Sequence, residues 1–285
     1  MKTENKIAFQ GSPGAFSDMS CRANFPDMTP LPCPTFEDTF QAVYEGQAKL
    51  AMIPIENTVA GRVADIHQIL PNSGLHIIAE NFHRVQHHLL AIRGAKIEQI
   101  KTIHSHVHAL SQCRKVIREL GLTTVIHADT AGAAMDLAKF KKADMGVIAS
   151  ALAAEIYELD ILKRNIEDET HNTTRFVVMG KVPIDPDPST GTIVTSFLFR
   201  VRNVPAALYK ALGGFATNKI NVTKLESYMV RGQFTATQFY IDIEGHPDDD
   251  RVRLAMEELS FFSREVKILG VYPGAAFREN PGCNT

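Results

Sequence analysis

Three segments of the sequence place polar side chains where a small acidic molecule would bind. Residues 54–61 (PIENTVAG) follow an apolar run, which puts Glu56 and Asn57 at the end of a predicted strand. Residues 105–113 follow a second strand and begin a helix, whose first N–H groups are free to bind an anion. Residues 172–176 (NTTRF) add hydroxyl and guanidinium groups before a final strand. Open α/β sheets bind ligands at the carboxyl ends of their strands, which makes Glu56 and Asn57 candidate site residues. Residues 172–176 are candidates because the chain returns between two lobes there.

A fourth segment, residues 11–17 (GSPGAFS), lies between the first predicted strand and the first predicted helix. Its glycines permit a tight turn, and backbone N–H groups at a helix N-terminus attract carboxylates. A turn that binds nothing has the same pattern, so both interpretations stay open here. They stay open too for Asn57, which can simply hold a turn, and for Glu56, which can simply be solvated.

The histidines near this second segment raise the question of a metal site. His104, His106 and His108 alternate, as ligands on one face of a strand would. A helix that begins at Ser105, a suitable N-cap, breaks that period of two, so we expect no metal. The sequence shows no Ser/His/Asp order, no P-loop and no complete dinucleotide fingerprint. The residues by themselves therefore predict a two-lobed module that binds a small anion.

The elements that must position these segments alternate between short apolar strands and amphipathic helices, which is typical of the α/β class. One helix is predicted to begin after Thr35 as its N-cap, and a longer one is predicted over residues 107–120. Residues 76–92 are extended, with apolar side chains on odd positions. This pattern suits strands that pass between two lobes.

Three prolines and a glycine mark residues 183–191 as a linker after a first domain of residues 1–182. The second domain has the pattern of a βαββαβ unit, with a hairpin that turns at Gly232. The tail is rich in Gly, Pro and Asn, and we expect it to be flexible. The predicted boundaries are one lobe over 1–80 and 165–182, a second lobe over 81–164, the linker over 183–191, the βαββαβ domain over 192–273 and the tail over 274–285.

Composition narrows the class of partner. The chain has 285 residues, with 30 lysines and arginines against 32 aspartates and glutamates, a net charge of −2 that does not favour nucleic acid or anionic membranes. The N-terminal residues lack the pattern of a secretory signal, and the sequence has no apolar run long enough to cross a bilayer, so we expect a cytoplasmic protein. The four cysteines, Cys283 among them, lack paired spacing and are expected to be reduced.

Taken together, the four segments resemble prephenate dehydratase, an enzyme of phenylalanine biosynthesis, over essentially the whole chain. Residues 11–17, 54–58, 105–112 and 174–176 occur in that family's order and approximate spacing. The C-terminal domain resembles an ACT domain, because residues 221–227 (NVTKLES) are close to that family's effector-site signature.

The resemblance implies a catalytic domain similar to type 2 periplasmic binding proteins, with prephenate bound between two lobes and no metal or organic cofactor. It assigns the essential threonine of the family to Thr174. The substrate-binding residues that it implies are Ser12, Gly14, Asn57, Thr58, Ser105, His106, Gln112, Thr173, Arg175 and Phe176, of which we expect Phe176 to pack rather than to stack on the substrate. The implied effector-binding residues, for L-phenylalanine, are Ala206, Ala207, Leu208, Asn221, Glu226 and Ser227.

Two departures from the family patterns concern the effector site. The helix that usually begins Pro-Gly-Ala-Leu reads Pro-Ala-Ala-Leu here, so Ala206 places a Cβ where a ligand would approach the backbone. The signature that usually continues Glu-Ser-Arg-Pro reads Glu-Ser-Tyr-Met from Glu226, which removes one cation. ACT domains commonly pair across subunits, so a homodimer or homotetramer is expected.

The chemistry that the resemblance implies leaves the proton source open. Thr174 can hydrogen-bond the departing ring oxygen, and Glu56, if buried and protonated, is the rival donor. Backbone N–H groups of residues 11–14 and 105–106, with Arg175, are the candidate clamp for the pyruvyl carboxylate. Two alternative functions remain: an arogenate dehydratase, which would act on the aminated analogue, and a two-lobed anion or amino-acid receptor without catalysis.

Overall fold

The computed structural model describes residues 5–63, 66–229 and 236–279. These residues form two compact units. The first contains the described residues up to 66 together with 81–177, and the second contains 67–80 together with the described residues from 178 onward. No helix within the described ranges is long and apolar enough to cross a membrane.

The strands are β1 (Lys6–Gln10), β2 (Thr29–Cys33), β3 (Leu50–Asn57), β4 (Gly61–Arg62), β5 (His76–Arg84), β6 (His88–Ala91), β7 (Thr102–Ser105), β8 (Thr123–Ile126), β9 (Met145–Ala149), β10 (Asp160–Lys163), β11 (Thr173–Gly180), β12 (Ile193–Val201), β13 (Val222–Met229), β14 (Ala236–Glu244) and β15 (Ser263–Pro273). The helices are α1 (Phe16–Asn24), α2 (Phe36–Tyr44), α3 (Ile66–Ile69), α4 (Val107–Gln112), α5 (Arg114–Glu119), α6 (Thr130–Phe140), α7 (Ala151–Ile156), α8 (Ala207–Thr217) and α9 (Asp250–Phe262).

The first sheet has the strand order β2-β1-β3-β11-β5, with β4 paired to β3. Strand β1 is parallel to both β2 and β3, and its residues 7–9 are fully buried, as expected for a central strand covered on both faces. Because β1 and β3 run in the same direction, the segments that follow them leave the same edge of the sheet. That edge carries residues 11–17 and Asn57. We call this sheet and its helices the first lobe.

The second sheet has the order β10-β6-β9-β7-β8, and we call it with its helices the second lobe. Strand β7 is parallel to β8 and β9. The segments after β7 and β8, which contain His106 and Asp129, therefore share one edge. Two clusters of buried apolar side chains form the interior of this lobe.

Two helix predictions have different outcomes. The predicted cap is confirmed, because Thr35 Oγ1 accepts a hydrogen bond from the Asp38 N–H at 3.0 Å. The single helix predicted over residues 107–120 is wrong, since α4 and α5 are separated at Cys113. The carboxylate of Asp168 accepts the N–H groups of Arg114 and Lys115 at 3.0 and 3.1 Å, which starts a new helix there.

The second unit contains the predicted βαββαβ arrangement, β12-α8-β13-β14-α9-β15, in an antiparallel sheet of order β13-β14-β12-β15. Helices α8 and α9 bury an apolar cluster that includes Phe197, Phe199 and Phe215. The α/β fold class is thus confirmed. The predicted turn at Gly232 lies outside the described residues.

The predicted flexible tail is partly wrong. Residues Ala276–Arg278 form a 3-10 turn, and the Arg278 guanidinium binds the buried carboxylate of Glu80, with Nη2 and Oε2 2.9 Å apart. A buried carboxylate requires such a partner, which holds this part of the tail in place. Cys21, Cys33 and Cys113 are buried thiols without disulfide bonds, while Cys283 and the other residues after 279 lie outside the described part.

Candidate active site

Asn57 connects the ends of β3 and β11. Its Nδ2 donates hydrogen bonds to Thr174 Oγ1 at 2.9 Å and to Asn172 Oδ1 at 2.8 Å. Its Oδ1 accepts the backbone N–H groups of Val59 and Ala60 at 2.9 and 2.8 Å. Because backbone N–H groups only donate, these two bonds fix which way the Asn57 amide points. Asn57 therefore holds a turn and contacts Thr174 at the same time.

The chain of hydrogen bonds continues from the first lobe into α4 of the second lobe. Since Asn172 Oδ1 accepts from Asn57, its Nδ2 is the group that donates to Gln112 Oε1 at 2.9 Å. The same Gln112 oxygen lies 2.9 Å from His87 Nε2. An amide oxygen only accepts, so His87 Nε2 carries the ring proton. Burial lowers the pKa of His87, which favours the neutral ring.

The direction of these bonds determines what Thr174 presents. Its oxygen already accepts from Asn57, and its hydroxyl proton donates to no group among the described residues. The Thr174 side chain is 9% exposed. A hydroxyl that accepts one hydrogen bond is a stronger donor of the next. The geometry therefore makes Thr174 a donor at the junction of the two lobes.

Glu56 and Arg175 form a separate pair. Arg175 Nη1 donates to Glu56 Oε1 at 2.8 Å. Successive side chains of a strand point to opposite faces, so this pair faces away from the Asn57–Thr174 pair. The Glu56 side chain is 32% exposed and paired with Arg175, so it lacks the burial that the donor hypothesis requires. This corrects the hypothesis that Glu56 is the proton donor.

Arg175 also differs from the sequence prediction. Its side chain is 2% exposed and its guanidinium is committed to Glu56, which argues against Arg175 as the clamp for a substrate carboxylate. Phe176 is 1% exposed and packs in the interior, as expected of its side chain, which argues against a direct contact with a substrate.

The predicted anion site at residues 11–14 is already occupied by the chain itself. The Gly14 N–H donates to the buried carboxylate of Asp18 at 2.8 Å, and the Gly14 carbonyl accepts from Ser150 Oγ at 2.5 Å. Gly14 has φ +89°, and a Cβ there would lie 2.8 Å from Ala153 Cα. Gly14 is therefore a contact between the lobes rather than a carboxylate-binding residue.

Ser12 faces a carboxylate across the two lobes. Its Oγ donates to Asp129 Oδ2 at 3.3 Å. The other oxygen of Asp129 accepts the Gly132 N–H at 2.6 Å and caps α6. No lysine or arginine in the described ranges forms an ion pair with Asp129. An uncompensated carboxylate beside Ser12 disfavours the anion that the sequence predicts there.

Three other predicted residues use their polar atoms for structure or for capping. Ser105 is fully buried and donates to the Ile148 carbonyl at 2.6 Å, so it is neither the N-cap nor accessible. The N-cap of α4 is His106, whose Nδ1 accepts the His108 N–H at 3.4 Å. Thr58 Oγ1 donates to a backbone carbonyl and accepts the Thr173 N–H at 2.9 Å, which leaves Thr58 no free hydroxyl proton and closes the loop before β11.

The second unit contains a cavity of about 530 Å³ at the start of α8. Four of the predicted effector residues line it, namely Ala206, Ala207, Leu208 and Ser227. The other two do not: Asn221 donates to Glu244 at 2.9 Å, and Glu226 accepts from Lys224 at 3.3 Å. Ala206 has φ +62°, the left-handed conformation that glycine adopts without strain.

Sequence reasoning assigned no role to two members of the Thr174 network and to one residue near it. Asn172 is the first residue of the candidate segment 172–176, but only the hydroxyl and guanidinium groups of that segment were considered. His87 and Asp129 lie far from Thr174 in sequence, and only the folded chain brings His87 into the network and Asp129 to Ser12. Among the described residues, no three or more His, Cys, Asp or Glu side chains are grouped as metal ligands would be.

The fold and site define a two-lobed α/β enzyme with a hydroxyl donor between the lobes. A family model described as prephenate dehydratase matches residues 7–183, and the chain belongs to this family of lyases. A protein of Komagataeibacter europaeus named as a bifunctional N-acyl-homoserine lactone acylase/prephenate dehydratase is 51% identical, covering 99% of this chain and 100% of that protein.

Two further relatives are informative. A chloroplastic arogenate dehydratase/prephenate dehydratase of Arabidopsis thaliana is 38% identical, with 94% of this chain and 72% of the relative covered. The crystal structure of a prephenate dehydratase from Arthrobacter aurescens in complex with L-Phe is 30% identical, with a TM-score of 0.85 and coverage of 94% of this chain and 89% of that one.

Proposed function

We propose that this chain converts prephenate to phenylpyruvate by decarboxylative dehydration. The observation that carries the proposal is the Thr174 hydroxyl, which accepts from Asn57 and has an uncommitted proton, in a chain of the prephenate dehydratase family. Prephenate carries a carboxylate and a hydroxyl at opposite positions of a nonaromatic ring. Loss of both groups makes the ring aromatic, which supplies the driving force.

The electron flow defines the task of Thr174. As the bond to the ring carboxylate breaks, its electron pair enters the ring and expels the hydroxyl on the far side, where negative charge develops on oxygen. A fixed donor aimed at that oxygen stabilises the transition state. A threonine hydroxyl is too weak an acid to release its proton fully, so Thr174 stabilises the leaving hydroxide by a hydrogen bond. The step then yields phenylpyruvate, carbon dioxide and hydroxide, and the hydroxide is neutralised by buffer acid in the solvent.

The other groups of the site hold the substrate. Gln112 Nε2 donates to no other described residue, and with His106 at the start of α4 it is available to a bound acid.

We assign the catalytic role to residues 1–182 and the sensing of L-phenylalanine to residues 192–273, joined by the linker 183–191. The cavity at Ala206–Leu208 and the L-Phe complex of the Arthrobacter relative support this division. Two or four copies assemble through the ACT domains.

Arogenate is a second candidate substrate. It carries an ammonium group where prephenate carries a keto oxygen, and Asp129 presents a carboxylate without a lysine or arginine partner in the described chain. An ammonium group beside Ser12 would form the charge-assisted bond that Asp129 lacks. The 38% identity to a relative named for both substrates is consistent with action on both.

One experiment decides between these candidates. Purified protein is incubated separately with prephenate and arogenate, and phenylpyruvate and phenylalanine are measured by absorbance and chromatography. Formation of either product supports an enzyme, and the ratio of kcat/KM values gives its preference. If both substrates bind in calorimetry but stay unchanged, the chain is a receptor. Because the Komagataeibacter relative is also named an acylase, an N-acyl-homoserine lactone is tested in parallel.

A further inference from the structure

We infer that His87 is a positioning residue for the reaction: its Nε2–H anchors the Gln112 amide and, through Asn172, keeps the Asn57 side chain in place against the Thr174 hydroxyl. This inference rests on the proposed function. His87 touches none of the reacting atoms in this scheme. It acts at the far end of a chain of hydrogen bonds whose other end is the catalytic hydroxyl.

His87 is held rigidly between β5 and β6. Its backbone N–H donates to Glu167 Oε2 at 2.9 Å, and its carbonyl accepts the Ile166 N–H at 2.8 Å. Its ring packs against Phe16 in an edge-to-face arrangement, with ring centroids 5.3 Å apart and the planes at 87°. The residue is 2% exposed. Its ring can therefore fix the position of the Gln112 amide.

The direction of the chain is set at Asn57, and that direction requires a hydrogen-bond donor at the His87 end. If His87 Nε2 carried no proton, its lone pair would face Gln112 Oε1, and the Gln112 amide would turn its NH₂ group inward. That group would then meet the NH₂ group of Asn172, which would have to turn in the same way. Asn172 would next present its NH₂ group to Asn57, which cannot turn because Val59 and Ala60 hold its oxygen. Only the Nε2–H form of His87 satisfies every link.

The other ring nitrogen shows that this arrangement costs folding free energy. His87 Nδ1 is buried and has no hydrogen-bond partner in the described structure. A buried polar atom without a partner is uncommon, and an apolar ring in this place would avoid the cost. A histidine is nevertheless suited to this position, because its Nε2–H is the donor that the Gln112 oxygen requires.

The first test compares three variants on prephenate. His87→Phe keeps a ring against Phe16 but removes the donor, and we expect kcat to fall roughly tenfold or more with KM changed less than about threefold. His87→Gln restores an N–H donor and should recover part of the rate. His88→Phe, at a neighbouring buried histidine outside the chain, is the matched control and should stay within about threefold of the wild type. Thermal melting verifies that each variant is folded.

The second test asks whether His87 acts through Thr174. In a Thr174→Ala background, His87→Phe should cause no further loss, because the group that it positions is gone. A further loss of the same size as in the wild type would overturn the inference, as would a uniform rise in KM without a change in kcat. Nitrogen-15 NMR of the ring should show the Nε2–H tautomer at neutral pH, and an Nδ1–H tautomer would contradict the assignment.

The activity assays distinguish an error in the role of His87 from an error in the proposed function. If the wild type forms product and His87→Phe is equally active, only the role of His87 is wrong. If the wild type transforms neither prephenate nor arogenate, the proposed function is wrong and the role of His87 in it falls as well.

Discussion

Replacement of Thr174 by valine isolates the hydroxyl of the proposed reaction. Valine keeps the β-branched shape of a side chain that is 9% exposed in strand β11. The substitution also leaves Asn57 Nδ2 with two acceptors, Asn172 Oδ1 at 2.8 Å and the Thr173 carbonyl at 3.2 Å. Because no donor loses all its partners, the cost in folding free energy should be small.

The cost in catalysis should be large. Removal of one fixed donor to a developing oxyanion lowers kcat by roughly 10²–10³-fold, equivalent to about 2.7–4 kcal/mol of transition-state stabilisation. Since the contact forms mainly in the transition state, KM should change little. Steady-state formation of phenylpyruvate measures both constants, and Thr174→Ser, which keeps the hydroxyl, should retain part of the rate.

Two outcomes would refute this reasoning. A kcat of Thr174→Val within about threefold of the wild type would show that the hydroxyl does not serve the leaving oxygen. A thermal midpoint lowered by many degrees would show instead that the hydroxyl holds the fold, and the kinetic loss would then carry no information on the transition state.

Three further predictions concern other parts of the chain. Asp129→Asn, which keeps a helix cap, should lower the kcat/KM ratio of arogenate to prephenate by roughly tenfold or more, and an unchanged ratio would show that Asp129 does not select the ammonium group. Ala206→Gly should raise the free energy of unfolding by about 1 kcal/mol in a denaturant titration, since it relieves φ +62°, and calorimetry should show tighter L-phenylalanine binding; a loss of stability would contradict the strain argument. Gly14→Ala should destabilise the fold by about 2 kcal/mol or more, because its Cβ would lie 2.8 Å from Ala153 Cα, and an unchanged melting temperature would show that the lobes are not in contact there.

Local features of the fold could be predicted from the sequence because their causes are local. Thr35 and Asp38 are three residues apart, so the cap could be predicted without tertiary structure. The break at Cys113 could not, since the carboxylate that starts α5 belongs to Asp168, more than fifty residues later in the chain. Long-range contacts of this kind decide where helices end, and no periodicity within residues 107–120 signals them.

The candidate site also combines features that the sequence predicts with features that only the folded chain shows. Asn57, Gln112 and Thr174 belong to segments that the resemblance identified, and the structure brings them into one network. The glycine turn at residues 11–14 has the pattern of an anion site, yet Asp18, four residues beyond Gly14, supplies the carboxylate from within the chain. The pattern of glycines could not show which carboxylate would occupy the turn.

The contacts between the two lobes limit how a substrate reaches Thr174. Ser150 and Tyr157, at the start and end of α7, hold the carbonyls of Gly14 and Pro13 at 2.5 and 2.9 Å. If these bonds are kept, the lobes can separate only by a rotation about the turn that contains Pro13 and Gly14, between β1 and α1. Such a rotation would open the cleft on the side away from α7, and a small molecule that reaches Thr174 in this way would enter there.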